Sequence, residues 1–552
     1  MKDVPGEAVR QLTGPQFERL VSYGVAQEVR VGDVVFRPGD PGYDLIVIES
    51  GRIDIVSPPT RDEPEAPIAS YGAGGFLGEL NLLTGQAVYL TARVVEAGRI
   101  HRIAPDQFRR LMADDPEVSD VLLRTFLWRR DSLRESPAAR SIEIIGSGMS
   151  AEALALRTFA ARQRLPHVWL DVDTLPGRAV MDLVPLGAAD LPAVVLRDRV
   201  LRRAQPGSLA EAIGLSYRST TGTIRDLLVI GSGPAGLAAA VYGASEGLTT
   251  LLVDRVGIGG QAAASSRIEN YLGFPSGVSG YDLTQRAALQ AMKFGAELSS
   301  PCEVVRIHPT GGHLCVQLAD GTEIDTRAAV IATGAKYRAL PVPGWKDYEG
   351  AGIYYAATEI EAQACAGRPV AVVGGANSAG QAALFLAQRG SPVTLVIRGH
   401  DIGAGMSAYL IDRLRHDPRV EIRVGTTVVG VAGDGVLESI SLASSGVDGV
   451  DRVERPCVGL FSLIGADPAT EWLDGISLDG DGFIRTGAQL EAGDLLPIWT
   501  VLGRQPLPFE TSVPAVFAAG DVRVGSMKRV AAAVGEGASA IRSVHSAIGL
   551  RV

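Results

Sequence analysis

Short hydrophobic runs, separated by glycine and proline turns, fill the N-terminal part of the chain. Between about 28 and 104, the β-branched runs 34–36, 45–48 and 52–56 recur with turn signals between them. Short strands with frequent turns are typical of a sandwich or a barrel. Apolar positions at helical spacing follow over 108–130. The pattern predicts a β-roll that is closed by helices.

A second pattern begins after a polar linker at 131–140. It predicts strands at 142–145, 167–172 and 193–197, which alternate with helices at 151–163, 178–186 and 208–213. Such alternation indicates a small α/β domain. A Ser/Thr/Gly linker at 217–223 ends it, and the rest of the chain is a glycine-rich α/β sequence.

The glycine-rich part opens with a strand, a turn and a helix. The buried run 226–230 leads into Gly231-Ser-Gly-Pro-Ala-Gly236, and the next strand ends at Asp254. In such a turn the first glycine allows the tight bend, the second lets the backbone approach a pyrophosphate, and the third lets helix and strand pack closely. The phosphates lie at the helix N-terminus, where amide donors face them. The arrangement predicts a dinucleotide site with Asp254 accepting hydrogen bonds from ribose hydroxyls.

Five further motifs occur in order, at 257–261, 268–275, 331–335, 516–522 and 528–537. Together with the glycine turn they resemble the low-molecular-weight thioredoxin reductase family of flavoproteins, over residues 226–548. The resemblance implies a homodimer and an FAD cofactor. It places FAD against Gly231, Gly233, Pro234, Ala235, Gly236, Asp254, Gly260, Gln261, Asn270, Thr333, Gly334, Gly520, Asp521, Arg529, Val530 and Ala531.

A second buried run, 369–373, leads into another glycine turn. The family binds NAD(P)H there, which points to Gly374, Gly375, Ala376, Asn377, Ser378, Arg398 and His400. Ala376 stands where the family has a glycine, and we expect its methyl group to weaken binding. Arg398 follows the next strand, where an arginine suits a 2′-phosphate, so NADPH is favoured over NADH. A retained but empty Rossmann lobe is the alternative.

The redox-active disulfide of the family is missing. Members with disulfide chemistry carry Tyr-Cys-Ala-Thr-Cys before this second site, whereas this chain has Tyr355-Ala-Ala-Thr-Glu359. Ala356 and Glu359 therefore replace the two cysteines, and no catalytic residue can be assigned. Cys365 lies nearby, and we expect it to be a small buried apolar residue. Glu359 is expected to be a solvated helix acid, with proton donation to the flavin as the alternative.

The N-terminal β-roll resembles the cyclic nucleotide-binding domain through the motifs 38–42, 48–53 and 76–83. In that family, amides and a glutamate hold the ribose, which points to Gly78, Glu79 and Leu80. The arginine that pairs with the cyclic phosphate would fall at Val88 or Tyr89, so it is absent. We therefore expect a degenerate site, and cyclic nucleotide is not an expected ligand.

Segment 141–215 resembles a thioredoxin fold. Its Leu191-Pro-Ala-Val194 matches the strand that usually begins with a cis-proline. Where that fold places CxxC, this chain has Gly146-Ser-Gly-Met-Ser150, so this domain also has no thiol pair. A scaffold or docking role is expected for it.

These patterns predict a multidomain chain. It consists of an N-terminal β-roll with helices, a small thioredoxin-like α/β domain and two Rossmann-like dinucleotide-binding domains. The expected boundaries are 1–137 for the cyclic nucleotide-binding-like domain, 138–218 for the thioredoxin-like domain, 219–340 and 466–552 for the FAD-binding domain, and 341–465 for the NAD(P)H-binding domain.

The composition of the chain disfavours several classes of partner and ligand. The chain has 552 residues with 52 Lys+Arg against 62 Asp+Glu, a net charge of −10, which disfavours general binding of nucleic acid. Its 4 cysteines and 7 histidines are scattered, so we expect neither a disulfide scaffold nor a metal site. The uncharged stretch 227–245 contains four glycines and a proline and fits a buried strand, turn and helix better than a membrane span. No signal peptide is recognisable, and we expect a cytoplasmic protein.

The sequence thus predicts an FAD-dependent oxidoreductase in which NAD(P)H reduces the flavin. The electrons would then pass to an acceptor other than a CxxC disulfide, such as a ferredoxin-like protein, a quinone, oxygen or another small molecule. Two alternatives remain open at this point. One is a non-catalytic flavin-based redox sensor or regulator, and the other is a thioredoxin reductase that uses thiols from outside this chain.

Overall fold

The computed structural model describes most of the chain. The described residues are 12–37, 40, 44–57, 66–78, 90–134, 142–148, 150–163, 165, 167–196, 199–213, 215, 223–265, 268, 270–446, 449–495 and 497–549.

The N-terminal domain is a roll of two four-stranded antiparallel sheets, ordered β1-β8-β3-β6 and β2-β7-β4-β5. Its strands are β1 Val25–Val29, β2 Val34–Phe36, β3 Leu45–Ile48, β4 Arg52–Ser57, β5 Ala66–Tyr71, β6 Phe76–Leu77, β7 Thr91–Glu96 and β8 Gly98–Ile103, and its helices are α1 Gly14–Val21, α2 Pro105–Asp114 and α3 Pro116–Arg134. Every residue of β3 is buried, and Phe108 and Phe126 from the two following helices complete the core. The predicted roll closed by helices is confirmed.

A second unit follows, with the sheet order β10-β9-β11-β12. Its elements are β9 Ile142–Gly146, α4 Ala151–Arg162, β10 Val168–Asp171, α5 Leu175–Leu183, β11 Ala193–Leu196, β12 Val200–Leu201 and α6 Pro206–Ala212. The strand β10 is parallel to β9, and β11 is antiparallel to both of its neighbours. The Leu191–Pro192 peptide bond is cis and directly precedes β11. The first four residues of the predicted linker 131–140 belong instead to α3, which ends at Arg134.

The first dinucleotide lobe is built on a seven-stranded sheet, ordered β15-β14-β13-β18-β17-β16 with β29 also paired to β18. Its strands are β13 Arg225–Ile230, β14 Thr250–Val253, β15 Glu297–Ser299, β16 Val304–Thr310, β17 His313–Leu318, β18 Glu323–Ile331 and β29 Val516–Ala518, and its helices are α7 Pro234–Ser245, α8 Gly280–Lys293 and, near the C-terminus, α13 Val530–Ile548. The stretch 227–245 is therefore the strand, turn and helix that its glycines predict. No described helix is long and apolar enough to cross a membrane.

The second dinucleotide lobe has a five-stranded parallel sheet, ordered β20-β27-β21-β22-β23, beside a three-stranded antiparallel sheet of β24, β25 and β26. Its elements are β20 Ile353–Tyr354, α9 Glu359–Ala364, β21 Val370–Val373, α10 Asn377–Gln388, β22 Val393–Val396, α11 Ala408–His416, β23 Val420–Arg423, β24 Thr426–Gly433, β25 Leu437–Gly446, β26 Gly449–Pro456 and β27 Gly459–Ser462. The antiparallel pair β19 Ala335–Tyr337 and β28 Ala466–Pro468 connects the two lobes, and α12 Ile498–Leu502 lies in the return segment.

Helix α8 is the contact surface on which the N-terminal parts of the chain lie. Leu289 and Met292 on α8 belong to the hydrophobic core of the N-terminal domain. Tyr281 and Gln285, nearer the start of α8, donate hydrogen bonds to carbonyl groups at the end of α4 in the second unit. A single helix of the first dinucleotide lobe therefore contacts both preceding units.

Candidate functional site

One cavity of about 880 Å³ lies between the two dinucleotide lobes. Its lining comes from the segments that follow β13, β14, β18 and β29 in the first lobe, and from the turn that follows β21 in the second. These are the carboxyl ends of parallel strands, where open α/β sheets bind their ligands. Both predicted glycine turns therefore meet at one cavity.

The turn between β13 and α7 has room for a ligand at one position only. A Cβ on Gly231 would lie 2.4 Å from the carbonyl oxygen of Ala332, and one on Gly236 would lie 1.8 Å from the carbonyl oxygen of Gly231. A Cβ on Gly233 would meet no protein atom within 4 Å, and Gly233 lines the cavity directly before α7 begins. The open space at a helix N-terminus fits a dinucleotide diphosphate.

Asp254 fixes this turn to the next loop. One oxygen of its carboxylate accepts a hydrogen bond from the backbone N–H of Ser232 at 2.8 Å, and the other accepts from Val256 and Gly257 at 2.8 Å each. Asp254 also lines the cavity. These hydrogen bonds hold the glycine turn against the next loop, and the ribose contact of Asp254 stays a prediction.

Asp521 faces the cavity from the loop after β29. Burial raises its pKa to about 6, with Lys528 opposing the rise and Glu536 adding to it. The loop is held by Glu536, which accepts hydrogen bonds from the backbone N–H of Gly520 at 2.7 Å and from Arg523 at 2.8 and 2.9 Å. In the described part of the chain no hydrogen bond or ion pair engages the Asp521 carboxylate, so it is free to accept one from a ligand.

Helix α13 begins beside Asp521, and Arg529 and Val530 at its start line the cavity. Across from them, the Gln261 side-chain amide donates to the carbonyl oxygen of Ala335, and the Thr333 hydroxyl donates to that of Ala469 at 3.0 Å. The walls on both sides of the cavity are thus held by hydrogen bonds. Together with the space at Gly233 and the unused Asp521 carboxylate, this donor and acceptor set fits FAD.

The second glycine turn contributes its polar residues to the same cavity. Ala376, Asn377 and Ser378 line it. The amide nitrogen of the Asn377 side chain donates to the Ser407 hydroxyl at 2.9 Å, and its oxygen accepts from the Ser407 backbone N–H at 2.7 Å. Arg398 and His400 lie outside the lining and are exposed to solvent.

The segment that replaces the family's cysteines lies outside this cavity. Neither Ala356 nor Glu359 is among the described residues that line it. Glu359 is exposed and pairs with Arg389 of the same lobe at 2.7 Å, which makes it the solvated helix acid that we expected. Cys365 is fully buried in the core of that lobe, and burial raises the pKa of its thiol to about 12. The expectation of a small buried apolar residue is confirmed.

The other predicted cofactor residues divide into two groups. Those that line the cavity are Gly231, Gly233, Pro234, Ala235, Asp254, Gln261, Asn270, Thr333, Gly334, Gly520, Asp521, Arg529, Val530, Ala376, Asn377 and Ser378. Those that do not line it are Gly236, Gly260, Ala531, Gly374 and Gly375. Two of these glycines nevertheless pack directly against residues of the lining. A Cβ on Gly260 would lie 2.9 Å from the Cα of Gly233, and one on Gly236 would lie 1.8 Å from the carbonyl oxygen of Gly231.

Sequence reasoning missed several residues of the lining, notably Arg162, Tyr337 and Trp472. Arg162 comes from the second unit, which carries no nucleotide motif, so no local signal marks it. Tyr337 stacks on Tyr355 with ring centroids 6.3 Å apart, which places the tyrosine of the altered Tyr-Ala-Ala-Thr-Glu motif behind the cavity wall.

The predicted ribose contacts of the N-terminal domain are only partly described. Gly78 is buried at the end of β6, whereas Glu79, Leu80, Val88 and Tyr89 lie outside the described residues. The guanidinium of Arg129 donates to the carbonyl oxygens of Gly78 and Phe76 at 3.1 and 2.9 Å and lies over the Tyr71 and Phe76 rings. An arginine of α3 thus closes one side of the roll next to Gly78.

Two family models match the chain. The pyridine nucleotide-disulphide oxidoreductase model matches residues 225–537, and the cyclic nucleotide-binding domain model matches residues 26–115. Among curated proteins, the thioredoxin reductase of Peptoclostridium litorale is 31% identical over 322 residues, which cover 57% of this chain and 95% of that protein. The bifunctional thioredoxin reductase/thioredoxin of Mycobacterium leprae is 32% identical over 319 residues, but the match spans only 64% of its length.

Solved structures give the same result. The thioredoxin reductase of Lactococcus lactis, in its FR conformation, aligns with a TM-score of 0.52 and 27% identity over 59% of this chain and 99% of its own. That of T. acidophilum aligns with a TM-score of 0.51 and 26% identity over 58% of this chain and 98% of its own. The family model, the relatives and the structures agree with the two glycine turns and the cavity between them. The chain therefore belongs to the pyridine nucleotide-disulphide oxidoreductase family, as a thioredoxin reductase-like FAD oxidoreductase with an N-terminal cyclic nucleotide-binding domain.

Proposed function

We propose that this chain oxidises NADPH at a flavin and passes the electrons to an acceptor other than a CxxC disulfide. The observation that carries the proposal is the shared cavity. Residues after both glycine turns line it, whereas Ala356 and Glu359, at the positions of the family's cysteines, do not. Neither residue can form a disulfide, and all four cysteines are buried and form no disulfide with one another.

When bound, FAD supplies the redox chemistry, taking a hydride from NAD(P)H and giving two electrons to the acceptor. The protein's part is to bind and orient. The N-terminus of α7 at Gly233 would hold the FAD diphosphate, and Asp254 would accept hydrogen bonds from the ribose. Asp521 would accept a hydrogen bond from the ribityl chain and phosphate region.

The second lobe would orient the nicotinamide nucleotide. Asn377 and Ser378 at the start of α10 would face its phosphates, and Arg398 with His400 would lie beside a 2′-phosphate. Arginine matches phosphate geometry well, which favours NADPH over NADH. Both side chains are exposed, as a site for a phosphate at the rim of the lobe requires.

The first test is anaerobic. FAD-loaded protein is mixed with NADPH and separately with NADH, and the flavin absorbance band is followed. NADPH should bleach the band rapidly and NADH more slowly. If neither bleaches it, the proposed oxidoreductase function is wrong and a non-catalytic flavin protein is favoured.

The second test concerns the acceptor. The reduced protein is offered a ferredoxin, a quinone, oxygen and an oxidised thioredoxin, and NADPH consumption is measured for each. Turnover with the thioredoxin disulfide should be absent. The double variant Ala356→Cys/Glu359→Cys restores the family's thiol spacing, and a gain of thioredoxin reduction in it would show that only the missing thiols separate this chain from its relatives. Thioredoxin turnover by the unaltered chain would contradict the proposal.

For the N-terminal domain we propose a sensor or interaction role without cyclic nucleotide. Arg129 already occupies the space above Tyr71 and Phe76, next to Gly78. The missing cyclic-phosphate arginine would cost about 2–5 kcal/mol of binding free energy. Cyclic AMP and cyclic GMP at millimolar concentration should leave the unfolding temperature unchanged, and a clear rise with either would refute this.

A further inference from the structure

Helix α4 of the second unit contacts both dinucleotide lobes. At its start, a Cβ on Gly350 of the second lobe would lie 2.6 Å from the Cβ of Ala151. At its end, the Tyr281 hydroxyl donates to the carbonyl oxygen of Ala161 at 3.2 Å, and the Gln285 amide donates to that of Arg162 at 3.2 Å. The end of α4 is therefore fixed on helix α8 of the first lobe.

From this fixed point the side chain of Arg162 enters the cavity, whose lining it shares with Gly233 and Asp254. The side chain of Arg162 packs against Gly257. A Cβ added to Gly257 would lie 3.1 Å from the Cβ of Arg162 and 3.6 Å from its Cδ. No hydrogen bond or ion pair to its guanidinium occurs among the residues that the structure describes. The donors of Arg162 are thus available inside the cavity.

The carboxylates near Arg162 are already engaged elsewhere. Asp254 accepts from three backbone N–H groups, and Glu361 accepts from the backbone N–H of Thr358 at 2.9 Å. Burial lowers the pKa of Arg162, and the charges of Asp254 and Glu361 oppose that change. A desolvated guanidinium needs an anion with matching acceptor oxygens, and a diphosphate provides them.

We propose that Arg162 binds the diphosphate of the dinucleotide in the first lobe, so that the second unit completes the flavin site. The inference rests on the proposed function in that it takes this dinucleotide to be FAD. It gives the thiol-free second unit a role in cofactor binding. It also links the docking of that unit to the loading of the cofactor, because each must strengthen the other by the same factor.

The test uses the full chain with its FAD removed and then titrated back, with flavin fluorescence as the readout. The variants are Arg162→Gln, Arg162→Lys and, as a matched control, Arg178→Gln on the exposed face of the same unit. Loss of a charge-assisted hydrogen bond should raise the Kd for FAD about 10- to 100-fold in Arg162→Gln. Arg162→Lys should fall between that value and the unaltered chain, and the control should stay within about twofold of the latter.

A parallel titration of the FAD-loaded chain with NADP⁺ distinguishes the two possible sources of the diphosphate. A loss confined to NADP⁺ would overturn the assignment to the first lobe, because Arg162 would then contact the second nucleotide instead. Unchanged Kd values for both nucleotides in Arg162→Gln would overturn the proposal. Failure of the unaltered chain to bind FAD would instead overturn the proposed function.

A second measurement needs no variant. Hydrogen–deuterium exchange of the α4 backbone amides is followed in the unaltered chain with and without FAD. If Arg162 contacts the cofactor, FAD should slow exchange in the last turn of α4 several-fold and leave α5 unchanged. Equal exchange in α4 with and without FAD would contradict the proposal even if the Arg162 variants do not fold.

Discussion

In the turn after β13, a Cβ on Gly231 would lie 2.4 Å from the carbonyl oxygen of Ala332. In the turn after β21, a Cβ on Gly374 would lie 2.4 Å from that of Leu463. The first position of both turns is therefore restricted to glycine by the same close approach to a neighbouring strand. The second and third positions differ, since Gly233 and Gly236 in the first lobe correspond to Ala376 and Ala379 in the second.

The strand after each turn also ends differently. Asp254 follows β14 and accepts hydrogen bonds from the backbone of the glycine turn and of its own loop, whereas Arg398 follows β22 and is exposed. The comparison separates the requirements of the fold from those of the ligand. The close approach at the first glycine forms the turn in both lobes, and the residues at the later positions decide how near a phosphate can come and which nucleotide is preferred.

The largest effect on stability should come from exchanging the residues at the third position of each turn, Gly236 and Ala379. In Gly236→Ala the new Cβ would lie 1.8 Å from the carbonyl oxygen of Gly231, so α7 must move away from β13. We expect at least about 3 kcal/mol of lost unfolding free energy, at the upper end for overpacking. Ala379→Gly should cost only about 1 kcal/mol, as glycine does in a helix. Urea unfolding of both variants checks this, and equal losses would show that the two helices pack alike.

Substitutions at the second position of each turn, Gly233 and Ala376, should change nucleotide binding without changing the stability of the fold. A Cβ on Gly233 meets no protein atom but enters the cavity, so Gly233→Ala should raise the Kd for FAD about 10- to 100-fold. The unfolding free energy of the FAD-free chain should change by less than about 1 kcal/mol. The reciprocal Ala376→Gly should lower the KM for NADPH several-fold. Unchanged affinities in both variants would mean that neither position approaches a phosphate.

Arg398, which follows β22 in the second lobe, should set the preference for NADPH over NADH. Arg398→Ala should raise the KM for NADPH about 10-fold, because an exposed charge-assisted contact lies at the low end of such bonds. The KM for NADH should stay within about twofold, as should both values in the exposed control Arg419→Ala. Steady-state kinetics with both nucleotides decides the matter, and an equal loss for NADPH and NADH would exclude a 2′-phosphate contact.

The smallest effect concerns Asp521, which has no counterpart in the second lobe's lining. Its pKa rises from 3.8 to about 6 on folding, so the folded chain without FAD loses stability as the pH rises from about 4 through 6. Asp521→Asn should therefore raise the free energy of unfolding at pH 7.5 and leave it nearly unchanged at pH 4. It should also weaken FAD binding at neutral pH. A stability difference that is the same at pH 4 and pH 7.5 would contradict the burial argument.

Local motifs made much of the first lobe predictable. The β13–α7 turn could be placed from its sequence because each glycine has a steric reason within a few residues. The antiparallel sheet of β24, β25 and β26 was not predicted, since no motif marks it. His308 and His313 lie in paired strands rather than in the turn between them, and both are partly buried.

Contacts between units could not be predicted from the chain pattern. Gln163 donates to the Ser300 hydroxyl at 2.6 Å across 137 positions, and Arg162 beside it reaches the cavity of another domain. Nothing in the alternation of strands and helices at 142–215 indicates which surface of that unit docks, or on what. The same holds for Ala356 and Glu359, whose place outside the cavity depends on how the lobes are turned.

The contact between α8 and the N-terminal domain limits how the chain can be shortened. Leu289 is 7% exposed and Met292 5% exposed, and the N-terminal domain shares their hydrophobic core. A truncated chain that begins at residue 223 would present both side chains to water, along with Tyr281 and Gln285, which now donate hydrogen bonds to α4. Such a truncation would match the length of the stand-alone reductases but would leave an apolar patch open to self-association. The N-terminal domain thus keeps an apolar surface of the flavoprotein part away from water.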